Sequence, residues 1–361
     1  MRAEMGSGDS RRWRSERKLG SEPTVVSGSR RIVAAVLAIA VSIGTLTWAF
    51  HDVDVEALRR QLGRTALLPL LAYAAAQLLG HAVRVVRWGL LVRPISDVST
   101  RSIFAAASVG LPATFFLPFR LGELVRPAML KRAGASFGGT FASVVVERVA
   151  DGLVNVGLFF VLLGLLPTQV APEVRRFSWI ALGLFATALV GLAIGYAYRD
   201  SFLRSIRHMT QWLGESASER IVGLVRTFLS GLEALRSPSR VVSFVALSLL
   251  FWAIIGGSTQ ILAASYINGL PILAGPFAVT VVVFAIMIPA GPAFAGTMEA
   301  GFRLGMAPFG IDPSDVIVVA VVAHATQLVT MALIAGAGFW AASAGERDAA
   351  SHAGDPEALP D

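Results

Sequence analysis

Ten charged residues fall within or against apolar stretches of this 361-residue sequence, and their spacing limits the chemistry open to them. They are Arg84, Arg87, Arg120, Glu123, Arg126, Glu147, Arg148, Asp151, Glu299 and Arg303. Arg84 and Arg87 follow His81 at three-residue intervals, and Arg120, Glu123 and Arg126 repeat that interval, so each trio can share a helix face. Glu147 and Asp151 stand four apart with Arg148 beside them, and Glu299 and Arg303 are again four apart. Opposite charges so placed can neutralise one another in a low-dielectric site. Six Arg against four carboxylates leaves two guanidiniums over. Such a surplus suits an anionic guest, and the planar guanidinium fork matches a phosphate. The plainer reading is that Arg84 and Arg87 snorkel to lipid headgroups while the rest form a fixed ion-pair scaffold.

Other chemistry finds little support. Gly134-Ala135-Ser136-Phe137-Gly138 spells a nucleophile-elbow string, but that device needs a preceding strand in an α/β sheet, and no such pattern surrounds it. Asp52 and Asp54 form an isolated carboxylate pair. The five His lack metal-ligand spacing, and no glycine-rich phosphate loop precedes a helix. With no Cys, disulfides, thiolate catalysis and Cys-based metal sites are excluded. No catalytic residue, metal site or cofactor is therefore expected. His81 and His324 can titrate in a proton-coupled cycle; hydrogen-bonded core histidines are the commoner case.

The elements that position these residues are membrane helices. Hydrophobic residues make up 55% of the chain, charged residues 15%, and mean hydropathy is +0.66. About 20 apolar residues cross a bilayer core, and residues 32–50, 66–92, 140–166, 179–198, 241–267 and 316–342 each suffice. Two further apolar segments are broken. Residues 103–135 carry Gly110, Pro112, Pro118 and Gly122; residues 272–305 carry Pro276, Pro289, Gly291, Pro292 and Gly296. Irregular backbone at membrane depth survives only inside protein or along a water-filled cavity. If the first broken segment spans fully, the Arg-rich loop 199–240 falls outside; if it is a re-entrant hairpin, 22 Arg and Lys lie in cytoplasmic segments against six outside. The positive-inside rule favours the hairpin.

The expected fold is thus an all-α polytopic transmembrane bundle of about six full spans and two Pro/Gly-broken re-entrant hairpins. Its halves, about 32–166 and 179–342, form an inverted repeat, the pattern that points to a transporter-type site near the midplane; an irregular bundle without a repeat is the alternative. Residues 1–31, with eight Arg or Lys, and the terminal residues 343–361 read as disordered tails, the first cytoplasmic. The net charge of +7 sits in loops between apolar blocks, which suits a bilayer better than nucleic acid. Within the loop 199–240, Ile221, Leu224, Val225, Phe228, Leu232 and Leu235 recur at helical spacing, so it either lies on the membrane surface or packs under the bundle.

The strings Phe119-Arg120-Leu121-Gly122-Glu123-Leu124-Val125-Arg126-Pro127 and Ser143-Val144-Val145-Val146-Glu147-Arg148-Val149-Ala150-Asp151 resemble the flippase-like membrane domain of the lysylphosphatidylglycerol synthases. The Arg84/Arg87 helix and the looser Pro289, Pro292, Gly296, Glu299 series fit the same pattern, and the resemblance covers roughly residues 32–342. By motif match it carries over Arg120, Glu123, Arg126, Glu147, Arg148, Asp151 and Glu299. Full synthases follow this domain with a soluble aminoacyl-transferase domain, whereas this sequence stops at Asp361. The resemblance therefore implies movement of a lipid between leaflets, or work beside a separate lipid- or glycan-modifying membrane enzyme, rather than lysyl transfer from tRNA. The expected function is translocation of an anionic phospholipid or polyprenyl phosphate across the bacterial cytoplasmic membrane, with membrane lipids as partners and no nucleic acid. The alternatives are a non-catalytic membrane partner and a membrane-embedded transferase with Glu147 or Asp151 as general base.

Overall fold

A computed structural model describes residues 28–353 apart from Arg64, residues 167–170, residues 233–236 and Pro289. Of the tail expected at residues 1–31, residues 1–27 lie outside the described residues, as do residues 354–361 and Leu235, whereas residues 28–31 already belong to a helix. Among the described residues every regular element is helical. Five helices are long and apolar enough to cross a bilayer: α3 (Leu67–Val92), α6 (Phe137–Leu165), α7 (Pro172–Ala197), α10 (Pro238–Ala264) and α13 (Pro313–Ala353). Helix α1 (Gly28–Phe50) stands at the position of the remaining expected span, with Ile39–Phe50 as its described apolar stretch. The chain is a multi-pass membrane protein.

Local chemistry sets several boundaries. Ser136 caps α6 by accepting the Gly139 amide, and Pro172 and Pro238 open α7 and α10, where a missing N–H costs nothing. The first broken segment becomes α4 (Thr100–Phe116), a 3₁₀ turn Pro118–Leu124 and α5 (Val125–Arg132). Gly110 and Pro112 do not break α4: Pro112 removes one backbone donor, and the helix, buried on most sides, runs through it. The chain reverses at Gly122, where any side chain would collide with the backbone of Ala113 and Thr114. Gly110 likewise leaves room for Arg126.

The second broken segment folds in the same way. Helix α11 (Ala274–Ala285) and α12 (Thr297–Met306) pack antiparallel, Gly301 against Val282 and Gly305 against Ala278. Pro276 sits harmlessly in the first turn of α11. Trp88 and Val92 near the end of α3 share a core cluster with Ile103, Leu130 and Ala135, so the first hairpin enters and leaves at that end of the bundle. Tyr73, near the start of α3, shares another with Ile267, Met306 and Val316, so the second hairpin opens at the opposite end. The order span, short helix or helices, span, hairpin, span occurs twice, with α2 (Val55–Leu62) in the first half and α8 (Arg199–Thr210) and α9 (Glu215–Gly231) in the second.

One expectation, the disordered tail from residue 343, changes. Helix α13 continues to Ala353, past residue 342 where the apolar pattern stops. Of the two readings of the amphipathic loop, packing under the bundle holds for α9: Leu229 and the following Leu232 join Ala142 and Val146 of α6 and Phe244 of α10, while α8 buries no residue.

Candidate functional site

The loop chemistry at both hairpin tips brings them together at the centre of the bundle. Arg120 adopts φ 56° in the first tip, Ala293 and Phe294 adopt φ 58° in the second, and Gly296 follows at φ 86°. Left-handed backbone at three non-glycine residues costs roughly 1–3 kcal/mol each and persists only where the surroundings enforce it. Here the tips enforce each other. Arg120 donates to the Ile286 carbonyl at 3.0 Å, its guanidinium lies 5.8 Å over the Phe294 ring, and Phe115 meets Phe294 edge-on at 5.6 Å.

Beside the first tip lies a chain of buried ion pairs. Glu147, fully buried on α6, accepts from Arg87 Nη2 at 2.9 Å through one oxygen and from Arg126 Nη1 through the other. Asp151, one turn further, takes Arg87 in a fork, at 2.5 and 2.9 Å. Arg87 also donates to Ser248 of α10 at 3.0 Å, tying α3, α6 and α10 together. Glu123 accepts from Arg126 Nη2 at 3.1 Å and faces Arg148 Nε at 3.3 Å. Neither Arg87 nor Arg126 keeps any exposure, so the snorkelling reading fails for Arg87. A bidentate carboxylate and a second carboxylate hold it inside.

The charges do not cancel. Five guanidiniums (Arg84, Arg87, Arg120, Arg126 and Arg148) meet three carboxylates (Glu123, Glu147 and Asp151), leaving two positive charges. The surplus has an address. Among the described residues no carboxylate lies within ion-pairing distance of Arg84 or Arg120; Arg84 instead sits 5.4 Å over the Phe251 ring. Both line a cavity of about 350 Å³ between the tips, together with Arg148 and Asp151. Arg84 Nε and Trp252 Nε1 are buried donors without a hydrogen-bond partner, as are Nε and Nη2 of Arg148, which meets its carboxylates as an ion pair only, and all three residues line this space. An unmet buried donor is costly unless something accepts from it. Much of the remaining lining is apolar and includes Leu184, Phe185, Phe251 and Ile255.

A match to the lysylphosphatidylglycerol synthase TM region covers residues 35–335. The chain belongs to that family. Comparison with curated proteins finds no match, and comparison with solved structures finds none. Membership points to a membrane lipid-related role for the chain, and the two carry-over strings, Arg120 to Arg126 and Glu147 to Asp151, come together beside the cavity.

Two of the ten candidates sit elsewhere, the carried-over Glu299 and its neighbour Arg303. Glu299 and Arg303 do not pair with each other, although their i,i+4 spacing allows it, because each finds another partner. Glu299 accepts the Gly296 amide at 2.7 Å and meets His324 at 2.6 Å. Arg303 turns to the far end of the bundle, donating to the Ala49 carbonyl at 2.8 Å and to Asp52 Oδ2 at 2.6 Å. Its hydrogen bond holds the exposed Asp52 carboxyl below the usual range. Arg303 is thus no part of the cavity. His81 bonds Ser108 Oγ at 2.8 Å.

The polar uncharged lining was missed in the sequence. Gln77 is one turn before His81 and Gln327 three residues after His324, so both helix faces announced them, but a survey of ionisable residues passes over amides. Among the described residues no group of three His, Asp or Glu is placed to hold a metal ion.

Proposed function

We propose that the protein is a translocase for an anionic lipid, whose phosphate-bearing headgroup enters the central cavity and is held by Arg84 and Arg120 with help from Arg148. The observation that carries this reading is the pair of uncompensated guanidiniums facing a cavity of headgroup size, between two hairpins that enter from opposite ends of the bundle. Membership of a lipid-associated membrane family supports it. Glu123, Glu147 and Asp151 act as positioning residues: they hold Arg87, Arg126 and Arg148 and so fix the floor of the cavity. The apolar lining on α7 and α10 gives acyl or polyprenyl chains a place to lie while the headgroup is inside. Alternating access then follows from rocking one half against the other. On the positive-inside rule the first hairpin opens to the cytoplasm, with the N-terminus on that side of the cytoplasmic membrane.

The general-base role considered for Glu147 or Asp151 is less well supported, since both oxygens of each carboxylate accept from buried guanidiniums. The test is transbilayer movement of a fluorescent anionic phospholipid in proteoliposomes. Arg120→Ala is expected to slow it at least tenfold while the protein still elutes as a folded species; unchanged movement would reject the assignment.

A further inference from the structure

His324 of α13 stands between two acceptors. Its Nε2 lies 2.9 Å from the Ala293 carbonyl oxygen and its Nδ1 2.6 Å from Glu299 Oε1, while Glu299 Oε2 accepts the Gly296 amide. A carbonyl oxygen can only accept, so Nε2 must carry a hydrogen. The contact between Nδ1 and Oε1 needs another, on the ring or on the carboxyl. A neutral imidazole beside a carboxylate has one hydrogen for these two contacts, and the geometry uses two. From this arrangement we propose that His324 and Glu299 together bind one proton, and that this proton latches the tip of the second hairpin closed against the central cavity.

The latch acts on the strained part of the loop. Ala293 and Phe294 both hold left-handed backbone, and Phe294 lies under the Arg120 guanidinium and against Phe115. The position of the tip therefore fixes the position of one of the two uncompensated cations. When the dyad gives its proton to water, one acceptor is left facing another, either the Ala293 carbonyl against a bare Nε2 or the carboxylate against a bare Nδ1. Either arrangement repels, and the tip is released. The dyad is not sealed from exchange, since its side chains retain 9% and 7% exposure.

Among the described residues no charged group other than Glu299 lies within ion-pairing distance of His324. From α12 the charged group facing His324 is Glu299; from α4 it meets the Phe115 ring at 6.0 Å; α1 contributes Ser42, which accepts the Gly291 amide. Arg120 stands beyond the Phe294 ring. Helix α11 carries no charge, and Arg303 is engaged at the far end with Asp52. A two-state element biased by one proton is a familiar switch. Its coupling to lipid movement rests on the translocase reading, whereas the latch does not.

The absence of native Cys allows a direct test. In the full chain bearing Ala295→Cys, in nanodiscs of zwitterionic lipid, labelling by a methanethiosulfonate reagent is followed against pH. Each rate is divided by that of the same thiol in denatured protein at that pH. The ratio is expected to rise about tenfold per pH unit, the slope of one proton, across the window in which the tip opens. Glu299→Gln should abolish the rise and leave the tip closed, because an amide nitrogen donates to Nδ1 while the amide oxygen still accepts the Gly296 amide. His324→Ala should give a high, flat ratio. A flat wild-type ratio, or a Glu299→Gln tip that opens or keeps the wild-type slope, overturns the proposal; if His324→Ala fails to fold, these two measurements decide alone. A pH-dependent tip in a protein whose Arg120→Ala variant moves lipid normally would keep the latch and reject the translocase reading instead.

Discussion

Glu147→Ala is expected to lower the unfolding temperature in detergent far more than any other single truncation in the ion network. Glu147 is fully buried and accepts from two fully buried guanidiniums, Arg87 and Arg126. Removing one partner from a buried pair costs about 3–5 kcal/mol, mostly from the charge left uncompensated. Here the loss strands charge on two helices at once. Asp151 still holds Arg87 through a fork, so Arg126, left with the partly exposed Glu123, suffers most. Thermal unfolding followed by size-exclusion chromatography reads this directly. A midpoint within two degrees of wild type would show that the network contributes nothing to the fold. Glu147→Gln should fall between, since an amide oxygen can still accept one hydrogen bond.

The second large effect is geometric. Gly122→Ala places a methyl group against the backbone of Ala113 and Thr114, and backbone cannot rotate away as a side chain can. Overpacking of this kind costs about 1–3 kcal/mol and occasionally more. The hairpin must open to admit the methyl, and Arg120 lies two residues before it. Lipid movement should therefore fall to background together with a drop in stability. Gly157→Ala, on α6 where a Cβ would meet nothing within 4 Å, is the matched control; it should be neutral or stabilising by up to about 1 kcal/mol, because Ala is the better helix former. Equal behaviour of the two variants would contradict the close approach at the first tip.

Much of this architecture was legible in the sequence because hydrophobic length and Pro/Gly breaks are local signals. The spans appeared where apolar runs placed them, and Pro118 and Gly122 marked the first tip. Pro112 misled, since a buried helix tolerates a lost donor that an exposed one would not. The site was legible only in part, because ion pairing across helices is set by packing and not by spacing. Arg84 and Arg87 look equivalent on a helical wheel. Yet the roughly 60° between them turns Arg87 into the carboxylates of α6 and Arg84 into the cavity. Glu299 and Arg303 failed in the opposite sense: their spacing allowed a pair, but the Gly296 amide and His324 captured the carboxylate first. The count of charges survived this reshuffling. Two surplus cations were expected over ten residues, and two remain over the eight that gather at the cavity.

That surplus is the central claim, and lipid retention measures it without reference to transport. Purified protein, delipidated and offered equal amounts of phosphatidylglycerol and phosphatidylcholine, can be examined by native mass spectrometry. Wild type should retain the anionic lipid preferentially, and Arg84→Ala combined with Arg120→Ala should reduce that preference at least tenfold at unchanged unfolding temperature. Retention of the same preference by the folded double variant would show that the two unpaired guanidiniums do not receive an anion, and the cavity would lose its assigned role.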